Sequence, residues 1–473
     1  MDYISHLEAL FQTHTGARPE STTELKAHGS DRKIFRMAEG TRALIGIYNA
    51  DRAENLAFLS FSKHFHKWGL PVPAIFAEDL ERGVYLEEDL GDTTLFALLN
   101  EERKTRGFSE NAFAMYRQVV AALPRFQIQA AKDLDYSVCY PRPRFDRQSM
   151  MWDLNYFKYY FLKLAKIAFN EQELEDDFNA FTDFLLEADQ HYFLYRDFQS
   201  RNIMIREGEP YFIDYQGGRR GALHYDIASL LFDAKADLPF DARAELLQLY
   251  LEAANQHTPL STEQFLRHYY GYVLIRILQA MGAYGFRGFY ERKTHFLQSV
   301  PYAIRNLEFV LRHAEFPVKL PALIDVLHRM VRSTALRELG NVQLNLTVRI
   351  QSFSFKNGLP HDDTGHGGGF VFDCRALPNP GRLEKFREQT GNDAEVIAYL
   401  ENEVEVHSFM THVRDLADQV VENYRRRNFT DLSLAFGCTG GQHRSVYCAN
   451  KLAQHLRAKY QVNVEVEHRE LKK

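Results

Sequence analysis

The stretch Tyr195-Arg196-Asp197-Phe198-Gln199-Ser200-Arg201-Asn202-Ile203-Met204-Ile205, followed by Tyr211-Phe212-Ile213-Asp214-Tyr215, decides how this chain is read. An Asp and an Asn stand with four residues between them before one apolar run, and a second apolar run ends on another Asp. Glu207-Gly208-Glu209-Pro210 between the runs reads as a hairpin turn, which would fold Asp214 back beside Asn202. Phosphoryl transfer from ATP needs such a set. Asp197 would orient the attacking hydroxyl and take its proton, while Asn202 and Asp214 would hold Mg²⁺ against the phosphates. Asp and Asn acting only as turn caps is the plainer alternative for the bare pair. The correctly placed apolar runs favour the chemical reading.

Working outward, residues 1–95 alternate short β patterns with turns. Segments 33–37 and 42–48 read as strands joined by a Gly-containing turn. Residues 54–67 have helical apolar spacing, and Leu70-Pro71-Val72-Pro73 ends it. Val84-Tyr85-Leu86 is another strand, running into Glu87-Glu88-Asp89-Leu90-Gly91-Asp92. Residues 96–335 read as mainly helical; Phe113, Tyr116, Val119, Val120 and Leu123 form one apolar face. The pattern lapses over 331–341, which reads as a linker. Beyond it Val342, Leu344, Leu346, Val348 and Ile350 alternate with polar residues as a half-buried strand, and Phe353 and Phe355 fall out of phase as at a bulge. A helix face (Val406 to Val420), a strand (432–436), a helix (446–456) and a final strand (462–466) complete a small α/β unit over 342–473.

With these residues in view, residues 20–310 resemble the aminoglycoside-phosphotransferase and choline-kinase family, and within it most the N-acetylmuramate/N-acetylglucosamine anomeric kinases. The matching segments are Gly29-Ser30-Asp31-Arg32, Glu54-Asn55, Glu88-Asp89-Leu90-Gly91-Asp92, the Asp197 loop, and Tyr225-Asp226-Ile227-Ala228-Ser229-Leu230-Leu231. The resemblance implies an α+β protein-kinase-like bilobal fold followed by a small α/β domain, with a nucleotide lobe over 1–95 and a catalytic lobe over 96–335. It implies ATP and Mg²⁺ as cofactors, Asp197 as the base, and residues 87–90 as a hinge whose backbone bonds adenine. Ser30, Arg32, Lys33, Arg36, Glu88, Asp89 and Leu90 are then the nucleotide-binding set, and Asp226 a structural anchor behind the loop. Two departures stand out. Tyr195 replaces a His usual in the family, and Leu44-Ile45-Gly46-Ile47-Tyr48 offers no Lys on the third strand; Arg32, Lys33 or Arg36 could supply the phosphate cation instead. An inactive kinase fold is the alternative.

Phe436-Gly437-Cys438-Thr439-Gly440-Gly441-Gln442-His443-Arg444-Ser445 lies between a predicted strand and a predicted helix. Small residues there let N–H groups converge on an anion, with His443 and Arg444 adding donors. The candidate anion-binding residues are Cys438, Thr439, Gly440, Gly441, His443, Arg444 and Ser445. The same segment fits C-x5-R-S, the pattern of cysteine phosphatases, with Cys438 as nucleophile and Asp362, Asp363 or Asp373 as acid. A longer pattern resembles the RapZ C-terminal domain family. It runs through Ser352 to Pro360, Val371 to Pro380, Thr390-Gly391, Glu405 to Phe409 and Gly437 to Val446. That resemblance implies sensing of an amino-sugar phosphate, such as glucosamine 6-phosphate, and binding of a small RNA. Lys356, Arg375, His468, Arg469, Lys472 and Lys473 are the candidates for RNA phosphates. His361 and His366 with Asp362 and Asp363 offer metal ligands, although a solvated loop is the better reading.

The composition agrees. The chain has 473 residues, 45% hydrophobic and 25% charged, with a formal net charge of -6 that argues against nucleic-acid binding by the whole protein. Four cysteines in such a chain make no disulfide framework and fit a reducing compartment. No apolar run approaches the roughly 20 residues that span a bilayer, and no signal-peptide pattern opens the sequence. A cytoplasmic protein acting on a small-molecule sugar, without a membrane partner, is the expectation.

Overall fold

Short alternating segments separated by tight turns build the first layer. The computed structural model describes residues 3–25, 32–341, 345–360, 368–427 and 429–471. The strands β1 (Ser21–Leu25), β2 (Lys33–Glu39), β3 (Arg42–Tyr48), β4 (Ile75–Asp79) and β5 (Val84–Glu88) form an antiparallel sheet in the order β1-β2-β3-β5-β4. Gly40, at φ 57°, makes the turn between β2 and β3. Helix α1 (Tyr3–Thr15) sets Leu7 and Phe11 on one face of this sheet, against Phe35, Met37, Leu44, Val84 and Leu86. Side chains alternate along a strand, so Tyr85 and Glu87 face the other way. There Tyr85 meets Phe58 of α2 (Arg52–Lys67), ring centroids 5.5 Å apart. Helix α2 begins at Asp51, whose carboxylate accepts the otherwise orphaned N–H groups of Ala53 and Glu54.

The region that follows is helical, centred on the buried helix Thr262–Gly285. Two small antiparallel pairs interrupt it: β6 (Tyr192–Leu194) with β9 (Arg219–Gly221), and β7 (Ile203–Arg206) with β8 (Glu209–Phe212). Phe61, Phe65, Phe126, Phe193, Tyr195 and Tyr215 pack ring against ring, tying α2 to these pairs. The stretch around Asp197 therefore rests on an aromatic bed, which the many Phe and Tyr of the sequence supply.

The chain divides into two compact units, Met1–Leu238 with Ala242–Met330, and Pro239–Asp241 with Val331–Lys473. The stretch 331–341 carries a helical turn, Thr334–Arg337, capped by Ser333. In the second unit β10 (Thr347–Ser354), β11 (Gly369–Asp373), β12 (Asp431–Cys438) and β13 (Asn463–His468) make a parallel sheet in the order β11-β12-β10-β13. Here the sequence reading needs correction. β10 is a central strand buried on both faces, not a half-buried one, because it pairs with β12 and β13 and helices cover the sheet. Among its polar residues, Arg349 bonds Asp431 and lies 3.3 Å from Glu465. The β10–β12 register runs from Thr347 to Ser354 without a shift, so there is no bulge; Phe355 has already left the strand for a helical turn. Val342 and Leu344 lie outside the described residues. Among the described residues no helix is long and apolar enough to cross a membrane.

Candidate active site and anion loop

The two-residue turn between β7 and β8 is what brings the candidate metal ligands together. Asn202 Nδ2 donates to Asp214 Oδ2 at 2.9 Å and to the backbone carbonyl of Asp197, also at 2.9 Å. Ile213 N–H donates to the Asn202 carbonyl at 3.1 Å, which fixes the height of Asp214 beside Asn202. Asp214 adopts φ 69° and Arg196 φ 84°, left-handed conformations that cost energy outside glycine and that surrounding contacts must hold. Those contacts are present. Asp226, fully buried, accepts from the N–H groups of Tyr195 (2.8 Å) and Arg196 (3.0 Å) and from Gln127 Nε2 (2.8 Å). Burial pushes its carboxyl up to about 7, against the pull of those three donors. Tyr195, in place of the family His, donates to the Ile213 carbonyl at 2.6 Å, so it too supports the loop from behind. Ser200 is held by Asp233, its hydroxyl 2.7 Å from Oδ2.

No side-chain hydrogen bond reaches the Asp197 carboxylate from the described residues, and its Oδ2 lies beside Gly217, where an added Cβ would come within 3.7 Å of it. Burial and the nearby Asp214 charge raise its pKa, opposed by the charges of Arg196, Arg276 and Arg219. Arg196 is committed to a fork with Asp153 (2.9 and 2.7 Å). Arg219 and Arg276 hydrogen-bond carbonyl, hydroxyl and amide groups. Burial and the neighbouring Arg196 lower the pKa of Arg219 to about 10. None of Asp153, Arg219 and Arg276 was named from the sequence. Arg219 lies just past Asp214 in Gly217-Gly218-Arg219 and was within reach of that reading; Asp153 and Arg276 come from distant helices and carry no local signal.

Of the three cations proposed for the phosphates, only Arg32 is placed beside the metal ligands. Its guanidinium donates to Glu54 Oε1 at 2.6 Å and stands 3.9 Å from Asp214 Oδ1. Arg36 points elsewhere, clamping Asp89 (2.6 and 3.0 Å) and Asp92 (3.1 and 2.9 Å). Lys33 pairs with Glu24 on the exposed side. Glu88 bonds Arg206, and its N–H donates to the Ala74 carbonyl at 2.9 Å. Leu90 is buried. Arg36 and Asp89 thus bind each other and Glu88 binds Arg206, while Arg32 alone of the three cations stands near Asp214. Ser30 lies outside the described residues.

In the second unit the candidate anion loop lies between β12 and the helix Arg444–Lys459. Cys438 Sγ lies 3.2 Å from Ser445 Oγ and accepts the Gly441 N–H at 3.2 Å. Burial pushes its thiol up, but those groups, the Ser445 N–H and the Arg444 charge outweigh burial and hold it below the usual value. Gly441 at φ 70° and the unobstructed Gly440 shape the turn. Ser354 donates to the Thr439 carbonyl at 2.7 Å. Arg444 turns to the protein: it donates to the carbonyls of Arg375 (2.8 Å) and Leu377 (2.9 Å), with Thr439 Oγ1 at 3.5 Å. A ring nitrogen of His443 meets the Phe386 carbonyl at 2.9 Å. The two residues read as anion donors therefore buttress the loop, because the segment 374–386 wraps over it and needs its carbonyls satisfied.

The candidate RNA residues are scattered in character. Arg375 pairs with Asp373 and stacks over Phe355; Lys356 sits in the exposed turn after β10. His468 is held between Ser352 and Asn450, and burial lowers its pKa, so it is no surface cation at neutral pH. The Arg469 N–H bonds the Ser352 carbonyl. Lys472, Lys473 and the His361–His366 loop lie outside the described residues.

With this geometry established, comparison with known proteins assigns the chain. A family model described as "Phosphotransferase enzyme family" matches residues 21–267, more than half of the chain. The chain belongs to the phosphotransferase enzyme family. A second model, the RapZ C-terminal domain, matches residues 346–472. The RNase adapter protein RapZ of Yersinia pseudotuberculosis serotype O:1b (strain IP 31758) is 40% identical over 146 residues, 31% of this chain and 49% of that protein. The figures are the same for RapZ of Yersinia pestis bv. Antiqua (strain Angola). The chain spans about half the length of the curated relatives it matches. Solved structures similar to it include choline kinase LicA from Streptococcus pneumoniae (16% identity, 65% of this chain, 100% of that one, TM-score 0.43). Plasmodium vivax ethanolamine kinase is another (12%, 65% and 87%, TM-score 0.45). This phosphotransferase-family chain therefore joins a kinase-like α+β part to a RapZ-type parallel α/β domain, as the two resemblances in its sequence implied.

Proposed function

We propose that this chain transfers the γ-phosphoryl group of ATP to a hydroxyl of an amino sugar such as N-acetylmuramate or N-acetylglucosamine. The observation that carries the proposal is the constellation of Asp197 and Asn202 just before the β7–β8 hairpin and Asp214 just after it, with Asn202 bonded to Asp214 and to the Asp197 carbonyl and Arg32 near Asp214. Asp197 lies where a sugar hydroxyl can donate to it. As the oxygen attacks phosphorus, a new P–O bond forms, the bond to the bridging oxygen of ADP breaks, and Asp197 takes the hydroxyl proton. A carboxylate beside an amide is a fitting donor set for a hard cation, so Asn202 and Asp214 would hold Mg²⁺. When bound, the ion neutralises charge on the phosphates. Arg32, oriented by Glu54, replaces the missing third-strand Lys and steadies the remaining phosphate charge.

The RapZ-type domain supplies the other half of the proposal. Its 438–445 loop, with Gly440 open and Ser445 heading a helix, fits a sugar phosphate, and amino-sugar chemistry is the subject that unites both halves. A small RNA at Lys356 and Arg375 belongs to the same proposal, suggested by the RNase-adapter relatives. The deciding experiment measures ATP consumption with Mg²⁺ over a panel of amino sugars and aminoglycosides, wild type beside Asp197→Ala. Turnover on one sugar class, lowered about 10³-fold or more by the substitution, is the expected result. No turnover on any acceptor would leave an adapter or sensor with an inactive kinase fold.

A further inference from the structure

Three of the four cysteines meet in the core of the second unit. β11 and β12 run parallel with Phe372 level with Phe436 and Asp373 level with Gly437, and the two Phe rings stack with centroids 5.1 Å apart. Side chains alternate along a strand, so Cys374 and Cys438, two residues beyond those rings, return to the same face at the same level. Cys374 opens the helical turn Cys374–Ala376, which packs against both β12 and the helix Arg444–Lys459. Cys448, one turn into that helix, completes the group, and all three side chains are buried in one cluster. Neighbouring strands stand about 4.8 Å apart, within the roughly 4.4–6.8 Å that a disulfide spans between Cα atoms. The thiols differ in character. Cys438 Sγ accepts the Gly441 N–H and meets Ser445 Oγ, both at 3.2 Å. Arg444 stands beside it, with a buried Nε that has no hydrogen-bond partner among the described residues. Burial pushes the Cys438 thiol up, yet these groups hold it below the usual value. By contrast, burial pushes the Cys139 thiol up to about 12, and burial, then Cys448, then Cys438 raise that of Cys374. Thr439 and Gly440, next to Cys438, are exposed, and the space over Gly440 is open.

We propose that Cys438 and Cys374 form a peroxide-responsive dithiol, in which a hydroperoxide oxidises Cys438 to a sulfenic acid and Cys374 converts that acid to a disulfide. The inference goes beyond the kinase and sugar-phosphate readings and needs neither. In the first step the Cys438 thiolate attacks one oxygen of the peroxide. An S–O bond forms and the O–O bond breaks. The other oxygen leaves with the electron pair and takes up the proton that the thiol had released. Arg444 Nε–H is the donor at hand for that departing oxygen. In the second step the Cys374 sulfur attacks the Cys438 sulfur, the S–S bond forms, and the S–O bond breaks. The oxygen leaves as water with the Cys374 proton. Two thiols and one hydroperoxide thus give a disulfide, an alcohol (water, from hydrogen peroxide) and water. Electrostatics sets the order of the steps. Cys438 is held towards the thiolate while Cys374 is not, and the neutral sulfenic acid removes the Cys438 charge that opposes deprotonation of Cys374. The disulfide also takes the sulfur from the Gly441 N–H and from Ser445, so the 438–445 loop loses its shape as an anion site.

The test treats the reduced full chain with a small excess of hydrogen peroxide at neutral pH, blocks the remaining thiols and maps tryptic peptides. Cleavage after Lys356, Arg375, Arg427, Arg444 and Lys451 puts Cys374, Cys438 and Cys448 on three separate peptides. Wild type is expected to yield peptide 357–375 joined to peptide 428–444, a link that dithiothreitol removes. Cys374→Ala should lose the link and leave Cys438 as a sulfenic acid that dimedone labels. Cys438→Ser should lose both the link and the label, while Cys448→Ala keeps the link. Should a variant misfold, the wild-type map still decides. A link from Cys438 to Cys448, oxidation of Cys139 ahead of Cys438, or no link at all overturns the inference. Binding of glucosamine 6-phosphate before and after oxidation reads the consequence for the loop, which rests on the sugar-phosphate reading. Loss on oxidation with recovery in dithiothreitol is expected, and binding that survives the disulfide overturns that consequence. A reduced chain that forms the link but never binds the sugar phosphate overturns the sugar-phosphate reading alone.

Discussion

Glu87, near the end of β5, has a buried Oε2 with no hydrogen-bond partner among the described residues, and this marks the stability of the chain. Its carboxyl rises from the usual 4.5 to about 8 in the folded chain. Between those values the folded state keeps a proton that the unfolded state has released. The contribution is therefore full below about pH 4.5 and is lost as pH rises through 8. Against wild type, Glu87→Gln should gain stability as pH rises from 5 to 9, on the order of 1–2 kcal/mol once partial exposure is discounted. Urea unfolding of the two proteins at each pH checks this, and parallel pH profiles would contradict it. The residue was quoted in the sequence as part of a hinge, yet only its backbone was given a role. Nothing local distinguishes it from Glu88, because what sets the two apart is the face of β5 each occupies and whether an Arg reaches it. Asp197, Asn202 and Asp214 were legible for the opposite reason: a two-residue turn between adjacent strands fixes their geometry within twenty residues of sequence.

Elements were legible where one pattern dominated and misread where neighbours changed its meaning. β2, β3 and β5 and helix α2 follow directly from alternation and helical spacing. β10 shows the same alternation, but the parallel neighbours β12 and β13 bury its polar residues as well, so alternation gave the wrong exposure. The helix Thr262–Gly285 poses a third case, in which glycine is set by packing. A Cβ on Gly285 would lie 2.1 Å from the Tyr160 carbonyl oxygen and one on Gly282 would lie 2.9 Å from the Phe157 nitrogen. Both obstacles are backbone atoms and cannot turn aside. Gly→Ala in a helix ordinarily stabilises by about 1 kcal/mol. Here overpacking against backbone costs more, so Gly285→Ala should destabilise by about 2 kcal/mol or more, read as a lower urea midpoint with unchanged slope. A rise in the midpoint would show that the helix can shift away from Tyr160 at small cost. Since this helix also carries Arg276, whose charge acts on Asp197, such a shift would be felt at the site.

At the scale of the molecule, two units with separate cores imply two separate ligand linkages. The second unit has its own buried cluster, from Val348 and Ile350 through Phe436 to Leu452 and Leu456, and its own loop at Cys438. A ligand stabilises only the cooperative unit that binds it, by about 2.7 kcal/mol at a hundred times its dissociation constant. The size of a unit then sets how far its melting temperature moves. For the smaller RapZ-type unit that free energy corresponds to a shift of about 10 °C, and for the larger kinase-like unit to about 4 °C. Calorimetry of the full chain should accordingly resolve two transitions. Mg-ATP should raise one of them by the smaller amount, and a hexosamine 6-phosphate the other by the larger. Cys438→Ala and Asp214→Ala, each removing a group from one site, should abolish the response to their own ligand and leave the other intact. If instead one ligand raises both transitions, the sites are coupled, and reciprocity then requires the second ligand to do the same with an equal coupling free energy. That equality is the stricter test, because two ligands acting through unrelated side effects would have no reason to satisfy it.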